Sequence, residues 1–499
     1  MSVLEDSLKK RYMVKLFANI INGLINIILV AIVPKALGPV AFGHFSYLQQ
    51  FFSQIVGFLD AGTSMAFFTK LSANHHRNEL ITFYFIYSFI ILVFMALFIY
   101  TVKGLGYADS MFPNIPDTYL YIGMGLGFLT WFTQIYIKIS DAYALTTSVE
   151  LLKIAHKIST MLLLLYFVNY LVFDLSAYFH FNYIASLSFI IIISIFFIQK
   201  SIFTKNLLTF NLQFAKLIKE FVVYSYPIFL FSIVGVGIGL FDIWLLQKMS
   251  GSSETGFYNL AYSIAAMCFL FTSAMTPIIT REFSKSYETR DMEHITKLFT
   301  RYIPMLYSIA AFFAIFIAFE SKNLIDIFTD EKFKDAAFVL VVMAFYPIHQ
   351  TYGQLTGSLF FATGQTNSYK NISIVSSLIG LLLTFLLLYV FKLGALGLAW
   401  KMVIVQIIGV NIQLYFNCKF LKIPMDGFLK HQFYSILFFV ILAFISTVPL
   451  FSMDKALPNF IISGAFYTLL VIIGGLVFPK IFATSRTEIR TILQKNKRV

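Results

Sequence analysis

The chain has 499 residues, of which 59% are apolar and only 12% are charged, and its mean hydropathy is +0.80. Soluble proteins carry about 25% charged residues, so this composition excludes a soluble multidomain enzyme, and two cysteines exclude a disulfide scaffold. The formal net charge of +13 comes from Lys and Arg scattered between apolar segments, so we expect no nucleic-acid partner.

Long apolar segments follow one another from the N-terminus to the C-terminus. A helix needs about 20 mainly apolar residues to cross roughly 30 Å of hydrocarbon. Fourteen segments qualify: 14–34, 43–67, 80–102, 118–138, 151–171, 178–198, 221–246, 256–279, 302–320, 335–358, 371–391, 395–416, 432–450 and 459–478. The sequence therefore predicts an all-α polytopic membrane protein with about 14 transmembrane helices.

The connections between these segments predict orientation and argue against catalysis. Of the 37 Lys and Arg residues, 26 fall in alternate connections, counting 139–157 as one of them, 8 fall in the other connections and 3 lie within segments. The positive-inside rule therefore places both termini in the cytoplasm. The longest connection on the outer side, 103–117, is too short for a catalytic domain. We therefore expect no enzyme.

Two glycine pairs indicate an internal repeat. Gly38 and Gly43 follow the first segment, Gly251 and Gly256 follow the seventh, and the offset is 213 residues. In each pair the second glycine and an aromatic residue open a long helix, as a tight turn requires. The repeat predicts two six-helix lobes with the site between them, followed by a helix pair with a basic tail: 1–205, 206–425 and 426–499.

The residues around these turns resemble a known family. They are Leu37, Gly38, Pro39, Phe42 and Gly43, then Gln49 and Asp60-Ala61-Gly62, and in the second half Asp242, Gly251, Gly256, Tyr258 and Asn259. The pattern resembles the polysaccharide transporter family of the multidrug/oligosaccharidyl-lipid/polysaccharide exporter superfamily, which includes the Wzx-type O-antigen flippases. The resemblance covers helices 1 to 12.

The resemblance implies a V-shaped, alternating-access transporter of undecaprenyl-pyrophosphate-linked oligosaccharide in the bacterial cytoplasmic (inner) membrane. It also implies contact with membrane lipids, a polysaccharide polymerase and chain-length machinery. The extra C-terminal helix pair is similar to that of peptidoglycan-precursor flippases. Those flippases line their cavity with arginine, and no arginine lies deep in a predicted segment of this chain.

Polar side chains inside apolar segments are the candidates for substrate binding, because lipid penalises them unless a partner or a wet cavity is present. Cations would attract the pyrophosphate, and amides would hydrogen-bond sugar hydroxyls. The predicted substrate-binding residues are Lys15, Asn19, Asn22, Asn26, Gln49, Gln54, Gln134, Lys138, Lys153, Gln350 and Lys401. The alternatives are amide-bonded helix contacts, snorkelling lysines and an ordinary cytoplasmic helix end.

Asp60 and Asp242 are the predicted ion-coupling residues, with a structural ion pair as the alternative for Asp60. No nucleotide-binding or metal-binding motif occurs, so we expect no cofactor, and coupling to a proton or a sodium gradient stays open. Two other functions remain: a multidrug exporter of the same superfamily, and a membrane-embedded enzyme of glycan assembly.

Overall fold

The computed structural model describes residues 8–73, 77–204, 213–447, 455–485 and 488. Among residues 8–20 only Phe17 has a described side chain, and the description also leaves out the side chains of residues 73, 78, 224, 227, 228, 230–232, 270, 271, 273, 274 and 277. These residues form helices joined by short turns, and no strand occurs among them. Twelve helices in the described ranges are long and apolar enough to cross a membrane. The chain is a multi-pass, all-α membrane protein, which confirms the predicted fold class.

Contacts divide the chain into two units, Met1–Gly256 and Phe257–Val499. The helices of the first unit are α1 (Leu8–Asp60), α2 (Thr63–Ala73), α3 (Asn78–Gly104), α4 (Ala108–Met111), α5 (Thr118–Ala142), α6 (Thr146–Tyr170), α7 (Leu175–Gln199) and most of α8 (Phe214–Ala265). In this unit α5 packs against α1, α2, α3 and α7, and α6 packs against α1 and α7. The predicted limits 1–205, 206–425 and 426–499 concern sequence equivalence and stay a prediction.

The second unit contains α9 (Phe269–Glu288), α10 (Met292–Phe319), α11 (Ser321–Phe328), α12 (Ala336–Met343), α13 (Tyr346–Ala362), α14 (Thr366–Thr384), α15 (Gly394–Leu421), α16 (Asp426–Thr447) and α17 (Ala456–Val477). Its core is shared by α9, α10, α13, α15, α16 and α17. The C-terminal pair α16 and α17 packs against α10 and α11, so it belongs to this unit's core.

Two of the twelve candidate spans are longer than one bilayer crossing. They are Ile21–Asp60, with 40 residues, and Ile233–Cys268, with 36 residues. At 1.5 Å per residue each would exceed about 50 Å as one straight helix, against roughly 30 Å of hydrocarbon. Each contains one non-helical residue, Gly38 or Gly251. Counting the segments on either side of these glycines separately gives the predicted number of about fourteen.

Gly38 and Gly251 adopt the same backbone conformation. Their φ and ψ angles are 74° and 168° for Gly38 and 84° and −178° for Gly251. A Cβ atom at either position would meet nothing within 4 Å, so the positive φ alone explains the glycine. The two predicted turns thus share one backbone conformation.

The second glycine of each pair is needed for space. A Cβ atom on Gly43 would overlap the carbonyl oxygen of Ser252, and a Cβ atom on Gly256 would lie 2.5 Å from the carbonyl oxygen of Pro39. The two turns therefore pack against each other reciprocally, backbone against backbone.

Candidate functional site

A lysine cluster, formed by Asn22, Asn26, Glu150, Lys153 and Lys157, lies where α6 meets α1. Lys157 donates to Oδ1 of Asn26 at 2.8 Å, and Lys153 lies 3.5 Å from Oε2 of the buried Glu150. Oδ1 of Asn22, one turn before Asn26, is buried and has no hydrogen-bond donor among the described residues. The cluster thus combines two half-buried cations with amide groups.

Only one of the two lysines in this cluster has a carboxylate partner. Glu150 pairs with Lys153, whereas Lys157 contacts a neutral amide and forms no ion pair with any described carboxylate. Lys157 therefore contributes a positive charge that the described part of the protein does not neutralise.

The depth of Lys157 differs from the sequence interpretation, which started this helix at residue 151 and placed Lys157 at the inner end of the segment. The structure starts α6 at Thr146, immediately after Ala144 in the left-handed conformation with φ 58°. Lys157 is then near the middle of the 25-residue span Thr146–Tyr170. A cation at the centre of a spanning helix costs at least about 2.5 kcal/mol unless it faces a wet or polar site. Lys157 is not among the sequence-predicted substrate-binding residues, because the predicted segment put it near a helix end.

A second polar group, the Asp60 network, consists of Asp60, Thr63, Ser64, Tyr84 and Lys138. Oδ1 of Asp60 accepts from the backbone N–H of Ser64 at 3.0 Å, from Tyr84 at 2.7 Å and from Thr63 at 3.1 Å. Oδ2 accepts from the Ser64 hydroxyl at 2.8 Å, and that hydroxyl accepts from Nζ of Lys138. Ser64 therefore connects the ammonium to the carboxylate, which already has four donors.

The local backbone explains why Asp60 occupies this position. Helix α1 ends at Asp60, and Ala61 and Gly62 both have left-handed φ values, 50° and 78°. Helix α2 begins at Thr63, so Asp60 lies where a side-chain oxygen can cap the new helix. The predicted ion-coupling role of Asp60 stays a prediction beside this capping role.

An apolar groove with a volume of about 370 Å³ adjoins the Asp60 network. Thr63 and Tyr87 form its edge next to the network, and the N-terminal part of α8 supplies Ile218, Phe221 and Val222 on the other side. An apolar groove beside a hydrogen-bonding network presents both kinds of surface that an amphiphile needs.

Polar groups of the second unit lie mainly between α13, α15 and α16. Thr356 donates to Gln413 at 2.8 Å, and Asn417 donates to the backbone carbonyl of Thr356 at 2.9 Å. The predicted residue Gln350 is half-buried on α13. Lys401 is 6% exposed and lies along Gly380 of α14, where an added Cβ atom would be 3.2 Å from its Cε.

The remaining predicted site residues are placed as follows. The side chains of Lys15 and Asn19 lie outside the described residues. Gln134 is exposed, although Lys138 one turn later is half-buried, and Gln49, Gln54 and Asp242 are half-buried. Among the sequence-predicted residues, the described contacts connect Asp60 with Lys138 through Ser64. Asn26 is joined to Lys157 rather than to Lys153. Their roles in binding stay predictions.

An ion-pair group at the start of α8 lies outside the candidate spans. Glu220 lies 3.2 Å from Nη1 of Arg77 and 3.4 Å from Nζ of Lys70. Burial alone would raise the pKa of Glu220, but the hydrogen bond from Arg77 and the charges of Arg77 and Lys70 outweigh burial and lower it below 4.5. The hydrogen bond to Glu79 raises the pKa of Arg77. This group therefore holds α8 to α2 and α3 by charge.

Solved structures similar in fold are transporters. The chain resembles the lipid II flippase MurJ in an inward closed conformation, with a TM-score of 0.68 and 16% identity, over 94% of this chain and 99% of that one. It also resembles an inward-facing multidrug resistance MATE family transporter of the MOP superfamily, with a TM-score of 0.61 and 14% identity, over 84% and 96%. The MATE multidrug transporter DinF-BH gives a TM-score of 0.58 and 13% identity, over 84% and 98%. These likenesses establish the fold.

No curated protein sequence matches the chain. A family described as polysaccharide biosynthesis protein matches residues 8–279, more than half of the chain, including both glycine turns, the lysine cluster and the Asp60 network. This match agrees with the resemblance of the glycine turns and with the fold. The chain belongs to the polysaccharide biosynthesis protein family and has the fold of the MOP-superfamily transporters.

Proposed function

We propose that this protein is a flippase that moves an undecaprenyl-pyrophosphate-linked oligosaccharide across the bacterial cytoplasmic membrane by alternating access. The observation that carries the proposal is Lys157, a mid-span cation whose described hydrogen-bond partner is a neutral amide. A half-buried cation at this depth favours a counter-charge, and a pyrophosphate supplies two or more negative charges. The family description, polysaccharide biosynthesis protein, agrees with a lipid-linked glycan as the substrate.

The neighbouring groups suit the other parts of this substrate. Asn22, with its free Oδ1, can accept from a sugar hydroxyl, and the Asp60 network adds hydroxyl and ammonium groups. The apolar groove beside Thr63 and Tyr87 offers a surface for part of the prenyl chain. In this proposal both termini are cytoplasmic, and the surface-polysaccharide machinery, O-antigen polymerase included, receives the product.

A translocation assay tests the role of Lys157. The purified protein is reconstituted in proteoliposomes with a fluorescent glycan on an undecaprenyl pyrophosphate, and an impermeant quencher reports the leaflet. A charge-assisted hydrogen bond contributes about 1.5–3 kcal/mol, so Lys157→Ala should slow translocation by about tenfold to a hundredfold. Lys157→Arg keeps the charge and should recover part of the rate.

Lys35→Ala is the matched control, because Lys35 is an exposed lysine on α1, the helix that carries Asn26. It should translocate within about twofold of the wild type, since an exposed lysine contributes little. Equal translocation rates for Lys157→Ala and the wild type would refute the assignment of pyrophosphate binding to the lysine cluster.

Multidrug export is the second candidate, supported by the fold likeness to MATE transporters. The two functions separate in cells that lack the gene. Loss of surface polysaccharide with unchanged drug susceptibility supports the flippase, and the reverse result supports the exporter.

A further inference from the structure

Three aromatic side chains meet in the middle of the second unit. Tyr307 on α10 contacts His349 on α13, with ring centroids 5.8 Å apart, and His431 on α16, at 6.2 Å. Tyr307 is fully buried and His349 is 4% exposed. Tyr307 and His349 lie near the centres of the spans Met292–Phe319 and Ala336–Ala362, whereas His431 is close to the beginning of α16. The three rings thus extend from a helix end to mid-membrane depth.

Each of these rings has a buried polar atom that receives no hydrogen bond from the described residues. The atoms are the Tyr307 hydroxyl and Nδ1 of His349 and His431. Leaving such an atom unsatisfied costs about 1–3 kcal/mol, and buried polar atoms in native proteins are normally paired. Three such atoms around one tyrosine therefore indicate a site for a hydrogen-bonding species.

The contacts of His431 fix which of its nitrogens is basic. Nε2 lies 2.8 Å from the carbonyl oxygen of Ile481, and a carbonyl can only accept, so Nε2 carries the proton. In the neutral ring Nδ1 then carries the lone pair. His431 and His349 each have a buried Nδ1 without a hydrogen-bond partner among the described residues, both rings contact Tyr307, and imidazole exchanges protons near neutral pH.

Several helices that pack against α13, the helix of His349, carry titratable groups, and the buried Lys401 of α15 is one of them. Tyr307 faces His349 from α10, α16 contributes His431 beyond Tyr307, and α12 has no titratable side chain. On α9, Thr272 forms a hydrogen bond with Thr351, close to His349 in sequence. Thr280 forms a hydrogen bond with Ser358, two turns further along α13. The charged residues of α9, at 281, 282, 285 and 288, all follow Thr280. On α14, Tyr369 and Lys370 lie near Gly357, at that far end, because Tyr369 packs against Gly357. On α15, Cys418 lies near Tyr352, and the ammonium of Lys401 lies along Gly380 on α14.

We infer that His349 binds the proton that drives transport, with Tyr307 and His431 connecting it to the membrane surface. The inference deepens the proposed function, since it names the coupling ion of that same transporter. A charged imidazolium is costly in a dry interior, so His349 takes up a proton in a conformation that hydrates it. By linkage, protonation then favours that conformation, and a proton gradient biases the transport cycle.

Asp60 already has four hydrogen-bond donors, and the Ser64 hydroxyl connects it to Lys138. His349 lacks a comparable set of partners among the described residues, so its protonation breaks no hydrogen bond.

The test uses full-length protein in the translocation assay described above, with and without a pH gradient of one unit across the vesicle. One coupled proton changes the driving force by up to about tenfold per pH unit. The wild type should respond to the gradient by severalfold. His349→Asn should translocate at the same rate with and without the gradient, whereas His294→Asn, at an exposed histidine at the start of α10, should respond like the wild type.

Tyr307→Phe provides a second variant that keeps both ring contacts and removes only the hydroxyl. Tyr307→Phe should lose at least half of the gradient response. This variant replaces His349→Asn as the test if His349→Asn does not elute as a folded protein in size-exclusion chromatography. An undiminished response in Tyr307→Phe or in folded His349→Asn overturns the inference, as does a wild type driven by a sodium gradient alone. Translocation by the wild type without any gradient response overturns this inference alone. No translocation under any condition overturns the proposed function as well.

Discussion

The reciprocal contact of the two glycine turns predicts a specific order of mutational sensitivity. A methyl group on Gly43 would overlap the carbonyl oxygen of Ser252 and lie 2.7 Å from its carbonyl carbon. Carbon atoms in contact are about 3.5–4.0 Å apart, so the two backbones would have to separate by about 1 Å. Both obstructing atoms are backbone, so no side-chain rotation relieves the overlap.

The expected losses follow from these distances. Overpacking of a core typically costs 1–3 kcal/mol, and Gly43→Ala should exceed the upper end, about 3 kcal/mol, because it is opposed by backbone. Gly256→Ala is next, since its Cβ atom would be 2.5 Å from one carbonyl oxygen. Gly38→Ala has open space, but φ 74° with ψ 168° is a conformation essentially restricted to glycine, which costs roughly 1–3 kcal/mol. Gly57→Ala, inside α1 with nothing within 4 Å, should be neutral or stabilising by up to about 1 kcal/mol.

The order can be measured as the apparent melting temperature of the four variants in one detergent, by size-exclusion chromatography after heating. Gly57→Ala is the internal control, because it adds the same methyl group to the same helix. A melting temperature for Gly43→Ala equal to that of Gly57→Ala would refute the backbone contact between the turns.

Two further predictions concern charged groups of the first unit. Asp60→Asn should lower the melting temperature, because it replaces one acceptor oxygen facing the Ser64 hydroxyl by a donor and removes the counter-charge of Lys138. The expected loss of folding stability is about 1–3 kcal/mol. Asp60→Glu should lose less stability, because it keeps the charge. The pKa of Glu220 is lower in the folded protein, so its pairing with Arg77 stabilises above the ordinary value and is lost as the pH falls through the lowered value. Being partly exposed, the pair contributes less than about 1 kcal/mol. Comparing the melting temperature of Glu220→Gln and wild type at pH 7 and pH 4 should show a difference that shrinks at the lower pH.

The fold could be predicted because bilayer thickness and backbone hydrogen bonding leave few choices for apolar segments of this length. The spacing of the glycine pairs also predicted two tight turns. In the structure Gly38 and Gly251 have similar positive φ angles, and Gly43 and Gly256 lie where a Cβ atom does not fit. Spacing alone could not show that the two turns contact each other, because that depends on packing between residues more than 200 positions apart.

The candidate site was less predictable, for two physical reasons. The start of α6 is set by a left-handed Ala144, which hydropathy does not reveal, and an error of five residues moves Lys157 from a helix end to mid-span. The spacing of residues in the sequence does not reveal their hydrogen-bond partners either. Asp60 reads as a lone carboxylate in sequence, but the turn at Ala61 and Gly62 brings the Ser64 backbone N–H to it, and packing with α3 adds Tyr84.

The internal repeat also argues that the two units have different chemical tasks. Helices α6 and α14 begin in the same way, each just after a left-handed residue, Ala144 with φ 58° and Gly364 with φ 73°. From Ala144 to Gly364 the offset is 220 residues, seven more than between the glycine turns, and it places Ser377 where the first unit has Lys157. At this position the first unit carries a mid-span cation that its counterpart lacks, whereas the second unit has two imidazoles beside Tyr307 and buries its own cation, Lys401, on α15. A cation suits an anionic substrate and an imidazole suits a proton, so we expect substrate binding at Lys157 and proton uptake at His349 to be coupled through conformation.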